Sequence, residues 1–140
     1  MTLAKFIKTW QGKLVRDGQC VALYRQYIQD VWKIPALEGL GNNGGAEGLI
    51  SRHYTDVGPT SRKFLEVIDR CAKPKAGDVA VFGATATNKF GHVGVVVKVI
   101  DEKKIQLFDA DGLSKDKLAR LSTWDRNRVI GYLRPRKVPA

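Results

Sequence analysis

The chain has 140 residues, 44% of them hydrophobic and 27% charged, which is the composition of one globular domain and excludes a disordered chain. Its two cysteines lie far apart, which excludes a disulfide framework and a Cys-x-x-Cys metal clip. No apolar run is long enough to span a bilayer, and residues 1–13 lack the apolar core of a signal peptide.

The net charge of +10 is concentrated at the two ends of the chain. Residues 1–16 carry +4 and residues 113–140 carry +6, whereas the stretch between them carries as many acidic as basic side chains. Basic ends of this kind favour a long acidic partner, such as nucleic acid, a membrane surface or an anionic cell-wall polymer. A solvated basic surface with no specific partner is the alternative.

Two helices are predicted in the first third of the chain. The first covers residues 2–10, and the second runs from about Gln19 to Lys33, just before Pro35. Cys20 heads the apolar stripe of the second helix, in its first turn. Residues 46–53 are considered as a further short helix.

The rest of the chain has the period of two that is typical of strands. The predicted strands are Val79–Phe82, His92–Ile100, Ile105–Asp109 and Val129–Leu133, with residues 64–68 ambiguous between strand and helix. Four valines of the second of these strands, from Val93 to Val99, are expected on one face. Helices followed by antiparallel strands indicate an α+β fold.

Three residues have the chemistry of a nucleophile, a base and an orienting acceptor. Cys20 is placed at a helix N-terminus, where unpaired N–H groups favour a thiolate. His92 starts a strand, on the face opposite the valines, and Gly94 leaves space beside it. A hairpin returns the chain to Asp109, within reach of His92.

Two further residues are candidates for secondary roles. Gln19, together with the backbone N–H of Cys20, is a candidate donor to an oxyanion. Asp111 is predicted to share a strand face with Asp109. Each of these residues also has a structural interpretation: a buried cysteine, a polar edge histidine and turn-forming aspartates.

Four segments in order resemble the motifs of CHAP domains, which are papain-like cysteine amidases and endopeptidases common in bacteriophage lysins. Residues 17–24 (DGQCVALY) resemble the nucleophile motif, residues 73–82 (KPKAGDVAVF) a "PxxGDxxxF" segment, and residues 91–96 (GHVGVV) the histidine strand. Residues 131–135 (GYLRP) are similar to the family's final strand.

The resemblance implies a papain-like fold, with N-terminal helices packed on a twisted antiparallel sheet of about five to six strands. Residues 1–135 are expected to form the catalytic domain, and residues 136–140 a basic tail or the start of a linker. The family usually has Glu and then Asn after the histidine strand, where this chain has Asp109 and Asp111. Asp109 can still accept from an imidazole, whereas Asp111 cannot donate as an amide does.

By this resemblance the chain is expected to hydrolyse an amide bond of bacterial peptidoglycan, with Cys20 as nucleophile, His92 as base and Asp109 as orienting residue. No metal or organic cofactor is expected. Some family members bind calcium before the nucleophile motif, but residues 13–17 offer one carboxylate among three cations.

The resemblance also implies where the protein acts and what it meets. Phage lysins of this type are made without a signal peptide in the host cytoplasm and then act on the cell wall. Anionic wall polymers are expected at the basic ends, and a separate subunit or domain is a candidate for wall binding. Neither nucleic acid nor membrane insertion is expected.

Two other functions stay open on the sequence alone. The first is a non-catalytic basic module that binds a wall polymer or nucleic acid. The second is a CHAP-like amidase with a small soluble substrate such as glutathionylspermidine.

The remaining candidates have weaker signals. Cys71 is interpreted as a core or semi-exposed thiol that forms no disulfide with Cys20, and His53 as a surface or loop residue. A zinc site is not expected, because the cysteines and histidines lack paired spacing. Trp124, in a polar stretch, either lines a substrate groove, which is the working assignment, or caps the core.

Overall fold

The computed structural model describes residues 1–34, 63–83, 85–86, 91–112 and 116–137. The elements are α1 (Leu3–Trp10), α2 (Cys20–Asp30), β1 (Leu65–Ile68), β2 (Val79–Phe82), β3 (His92–Val99), β4 (Lys104–Asp109), β5 (Arg120–Asp125), a 3-10 turn (Arg126–Arg128) and β6 (Val129–Pro135). The predicted α+β class is confirmed, and the considered helix over 46–53 lies outside the described residues. Within the described ranges, no helix has the length and hydropathy to cross a membrane.

The six strands form one antiparallel sheet in the order β1-β6-β2-β3-β4-β5. Both helices pack against one face, where Phe6 of α1 contacts Tyr27 of α2 and Phe108 of β4 edge to face. A second apolar cluster forms on strand residues that point the other way, including Phe82 and Trp124. This arrangement places the start of α2 beside the start of β3.

Helix α2 ends at Asp30, three residues earlier than predicted. Lys33 has a left-handed backbone with φ of 58°, and the N–H of Ile34 donates to the carbonyl of Ile28 at 3.0 Å. This bond spans one residue more than the six-to-one bond of a Schellman motif, and it satisfies the carbonyl of Ile28 in the last turn.

Two strand predictions were wrong in detail. A bulge in the pairing of β3 with β4, between Val96 and Lys98, changes the alternation, so Val97 packs with the helix-side cluster and Val99 with the other. The sequence pattern does not predict strand β5, because only Trp124 of its six residues is buried and the segment is mostly polar.

Candidate active site

The loop before α2 places Cys20 as the first residue of that helix. Asp17 Oδ1 accepts from the backbone N–H of Gln19 at 3.0 Å, which turns the chain into the helix. Gly18 is buried with φ of 84°, and a Cβ there would lie 2.7 Å from Lys117 Cβ. Glycine is therefore required by both backbone and packing, and it leaves Cys20 as a partly exposed free thiol.

His92 and Asp109 form a buried pair between neighbouring strands. His92 begins β3 and Asp109 ends β4, and their exposed fractions are 3% and 1%. The Nε2 atom of His92 lies 2.8 Å from Oδ2 of Asp109. Because an ionised carboxylate only accepts, Nε2 carries the proton, which leaves Nδ1 for the Cys20 side chain.

The surroundings of His92 act on its pKa in both directions. Burial lowers the pKa, but hydrogen bonds with Asp109 and with Cys20 and the charges of both groups outweigh burial and raise the pKa to about 9. The three residues that the sequence grouped are therefore brought together. The imidazolium form of His92 is favoured at neutral pH.

Two side chains of β5 complete the surroundings of the carboxylate. The Oδ2 atom of Asp109 also accepts from Nε1 of Trp124 at 2.9 Å, and its Oδ1 atom accepts from the hydroxyl of Ser122. The indole of Trp124 stacks on the His92 ring, with centroids 4.6 Å apart and planes 16° apart. Trp124 is only 9% exposed and packs in a core cluster, which agrees with the second interpretation of this residue from the sequence.

Ser122 was not singled out from the sequence. It lies two residues before Trp124, so both side chains point to the same face of a strand. Ser122 could have been found if residues 120–125 had been predicted as a strand. The polar composition of this segment does not predict one.

Gln19 and Asp111 are exposed at the margins of the site. Gln19 is the N-cap of α2, and its side chain makes no capping hydrogen bond. Asp111 follows the end of β4 with a left-handed φ of 54°, so the prediction that it shares a strand face with Asp109 was wrong. Their secondary roles stay predictions.

The second cysteine lies elsewhere. Cys71 is an exposed free thiol beside a surface depression of about 770 Å³ that the β3–β4 turn also lines, at the opposite end of these strands from His92. His53 lies outside the described residues. Among the residues that the structure does describe, no three His, Cys, Asp or Glu side chains are grouped as metal ligands would be.

Comparisons with solved structures agree with this architecture. The structure of Ly7917 aligns with a TM-score of 0.70 at 20% identity over 93% of this chain and 60% of that chain. A second structure, Ly7917 with the hydrolyzing product of MDP, aligns with a TM-score of 0.70 at 20% identity over 96% of this chain and 63% of that chain. The wild type endolysin LysIME-EF1 aligns with a TM-score of 0.70 at 20% identity over 94% of this chain and 61% of that chain. The chain thus spans less than two thirds of these relatives, and at such identities the likeness establishes the fold.

Sequence comparison identifies the family. No curated protein matches the chain significantly. The model of the CHAP domain matches residues 10–111, which include Cys20, His92 and Asp109 and make up more than half of the chain. The chain belongs to the CHAP domain family.

Proposed function

We propose that the protein is a peptidoglycan hydrolase of the phage endolysin type, which cleaves an amide bond of the bacterial cell wall through Cys20. The buried His92–Asp109 pair beside a partly exposed thiol carries this proposal. The family assignment supports it, as does the likeness to an endolysin and to Ly7917, which was solved with the hydrolyzing product of MDP.

The first half of the reaction forms a thioester. The imidazolium of His92, protonated at both ring nitrogens, holds Cys20 as a thiolate. The sulfur attacks the amide carbonyl carbon, and the carbonyl oxygen becomes an oxyanion. The backbone N–H of Cys20 and the side chain of Gln19 are the proposed donors to that oxyanion. His92 then protonates the leaving nitrogen, the C–N bond breaks, and an amine is released.

The second half releases the acid. His92, neutral again at Nδ1, takes a proton from water, whose oxygen attacks the thioester carbon. Collapse of this intermediate breaks the C–S bond, and the sulfur leaves as a thiolate beside the imidazolium, which restores the starting pair. Asp109 keeps the proton on Nε2 throughout, so Nδ1 alone exchanges protons with the reacting atoms.

We also propose that the basic ends hold the enzyme near anionic wall polymers. An antiparallel bridge pairs Leu14 with Leu118, and Ala119 exchanges backbone hydrogen bonds with Gly12 and Lys13. Exposed Lys13 therefore lies beside residues 118–119 of the second basic segment. Wall binding should weaken as salt rises. A wall-binding partner and synthesis in the host cytoplasm belong to the same proposal.

The test is digestion of purified cell walls from several bacterial species by the wild type, Cys20→Ala and Cys71→Ala. Mass spectrometry of the released fragments names the bond that is cleaved. We expect release by the wild type and Cys71→Ala, and none by Cys20→Ala. Equal release by all three would refute the mechanism. Cleavage of small soluble amides alone would favour the other amidase function.

A further inference from the structure

We propose that Ser122 and Trp124 are positioning residues for the Cys20–His92 chemistry: together they fix the carboxylate of Asp109, and Trp124 also fixes the plane of the His92 ring. This inference rests on the proposed function, because it assigns a role in the same reaction. Neither side chain is proposed to touch the substrate.

Strand alternation brings the two residues to one carboxylate. In the pairing of β4 with β5, Ser122 lies opposite Leu107 and Trp124 opposite Ile105, so both share the strand face on which Asp109 lies. Thr123, between them, points the other way and is exposed. The spacing of two residues therefore delivers two donors to the same buried group.

The hydrogen bonds leave the carboxylate little freedom to rotate. Asp109 Oδ2 accepts hydrogen bonds from His92 Nε2 at 2.8 Å and from Trp124 Nε1 at 2.9 Å, while Oδ1 accepts one from the Ser122 hydroxyl. A carboxylate held by His92 alone would turn about its broad terminal torsion. With both oxygens held, Oδ2 stays in line with Nε2, and the buried charge has three donors.

The stacked indole limits the other moving part. Trp124 lies nearly parallel to the His92 ring at 4.6 Å, and Phe82 packs on the indole at 4.9 Å. Rotation of the imidazole would break this stack and the Nε2 bond together. Because such rotation would carry Nδ1 away from Cys20, the stack keeps the base in its reactive direction.

The test uses the full chain with Trp124→Phe, which keeps a stacking ring but removes the N–H donor, and Ser122→Ala, which removes the hydroxyl. Ser122→Thr restores the hydroxyl, and Thr123→Ala is the matched control on the opposite face. With soluble disaccharide-peptide fragments of peptidoglycan, we expect kcat to fall about tenfold in each of the first two variants while KM is unchanged. Ser122→Thr should recover most of kcat, and Thr123→Ala should match the wild type.

A second measurement needs no substrate. Proton NMR of the wild type should show a downfield Nε2–H signal from His92 that Trp124→Phe and Ser122→Ala broaden by faster exchange with solvent. If both variants keep the signal and kcat and lose only thermal stability, the two residues are core residues and the inference is wrong. If the wild type cleaves no wall, the proposed function fails, whereas the NMR signal still decides the positioning.

Discussion

The Nε2 atom of His92 donates to Oδ2 of Asp109 across 2.8 Å, and both side chains are almost completely buried. Burial without a partner would keep the imidazole neutral. The bond to Asp109 instead fixes the proton on Nε2 and, together with Cys20, favours the charged ring. This relationship holds a strand histidine in one orientation beside the N-terminus of α2.

Substitutions of Asp109 should have graded effects on kcat. In Asp109→Asn the amide oxygen can still accept from His92 and Trp124, whereas the charge and the acceptor for the Ser122 hydroxyl are lost, so we expect a fall of about tenfold. In Asp109→Ala the donors lose their acceptor, and we expect a fall of about a hundredfold. Steady-state kinetics on wall fragments measures both. Equal kcat in the wild type and Asp109→Ala would remove this residue from the mechanism.

A methyl group at Gly112 should displace the site. A Cβ there would lie 2.8 Å from the Trp124 ring and 2.9 Å from Cε1 and Nε2 of His92, closer than real contacts allow. Because these are rings packed in a core, neither can yield cheaply. We expect Gly112→Ala to lower kcat at least tenfold. Unaltered kinetics in a folded Gly112→Ala would show that the site tolerates movement of both rings.

The raised pKa of His92 makes folding stability depend on pH. The surroundings of His92 in the folded protein raise its pKa from 6.5, the ordinary value that the unfolded chain would have, to about 9. The folded state therefore binds this proton more tightly. The resulting stabilisation is complete below pH 6.5 and is lost as pH rises through about 9. Urea denaturation between pH 6.5 and about 9 should show that the wild type loses more unfolding free energy than the His92→Gln variant. Parallel curves for the two proteins would contradict the raised pKa.

A buried ion pair outside the site should matter for stability. Asp78 is 3% exposed, and Nε and Nη2 of Arg134 donate to its two oxygens at 2.8 and 2.7 Å. Arg134→Ala leaves that carboxylate without its cation, with the backbone N–H of Lys75 still donating to Oδ2, and should cost about 3 kcal/mol of unfolding free energy. Lys104→Ala, which breaks the exposed pair with Asp125, should cost less than about 1 kcal/mol. Denaturant titration measures the unfolding free energy of both variants, and equal losses would show that the Asp78–Arg134 pair is worth no more than an exposed one.

The proximity of Cys20, His92 and Asp109 was predictable because these residues lie on elements with strong local patterns. Cys20 heads an amphipathic helix, and His92 and Asp109 bound two apolar strands joined by a tight turn. Antiparallel pairing of these two strands brings their outer ends together, so the sequence pattern already indicates that His92 lies near Asp109.

The supporting contacts were not predictable, because they depend on pairing beyond the local pattern. Strand β5 is an edge strand with a mostly polar composition, and its role is visible only once Ser122 and Trp124 face Asp109. The displaced face of Val99 likewise depends on a bulge, whose extra residue has no local signal in a run of valines.

The central claim is that His92 activates Cys20, and alkylation tests it most directly. Iodoacetamide is added to the wild type and to His92→Ala near neutral pH, and peptide mass spectrometry follows Cys20 and Cys71 separately, so that the exposed second thiol serves as an internal reference. We expect Cys20 to react faster than Cys71 in the wild type, and to slow markedly in His92→Ala while Cys71 is unchanged. Equal rates at Cys20 in the two proteins would contradict the account.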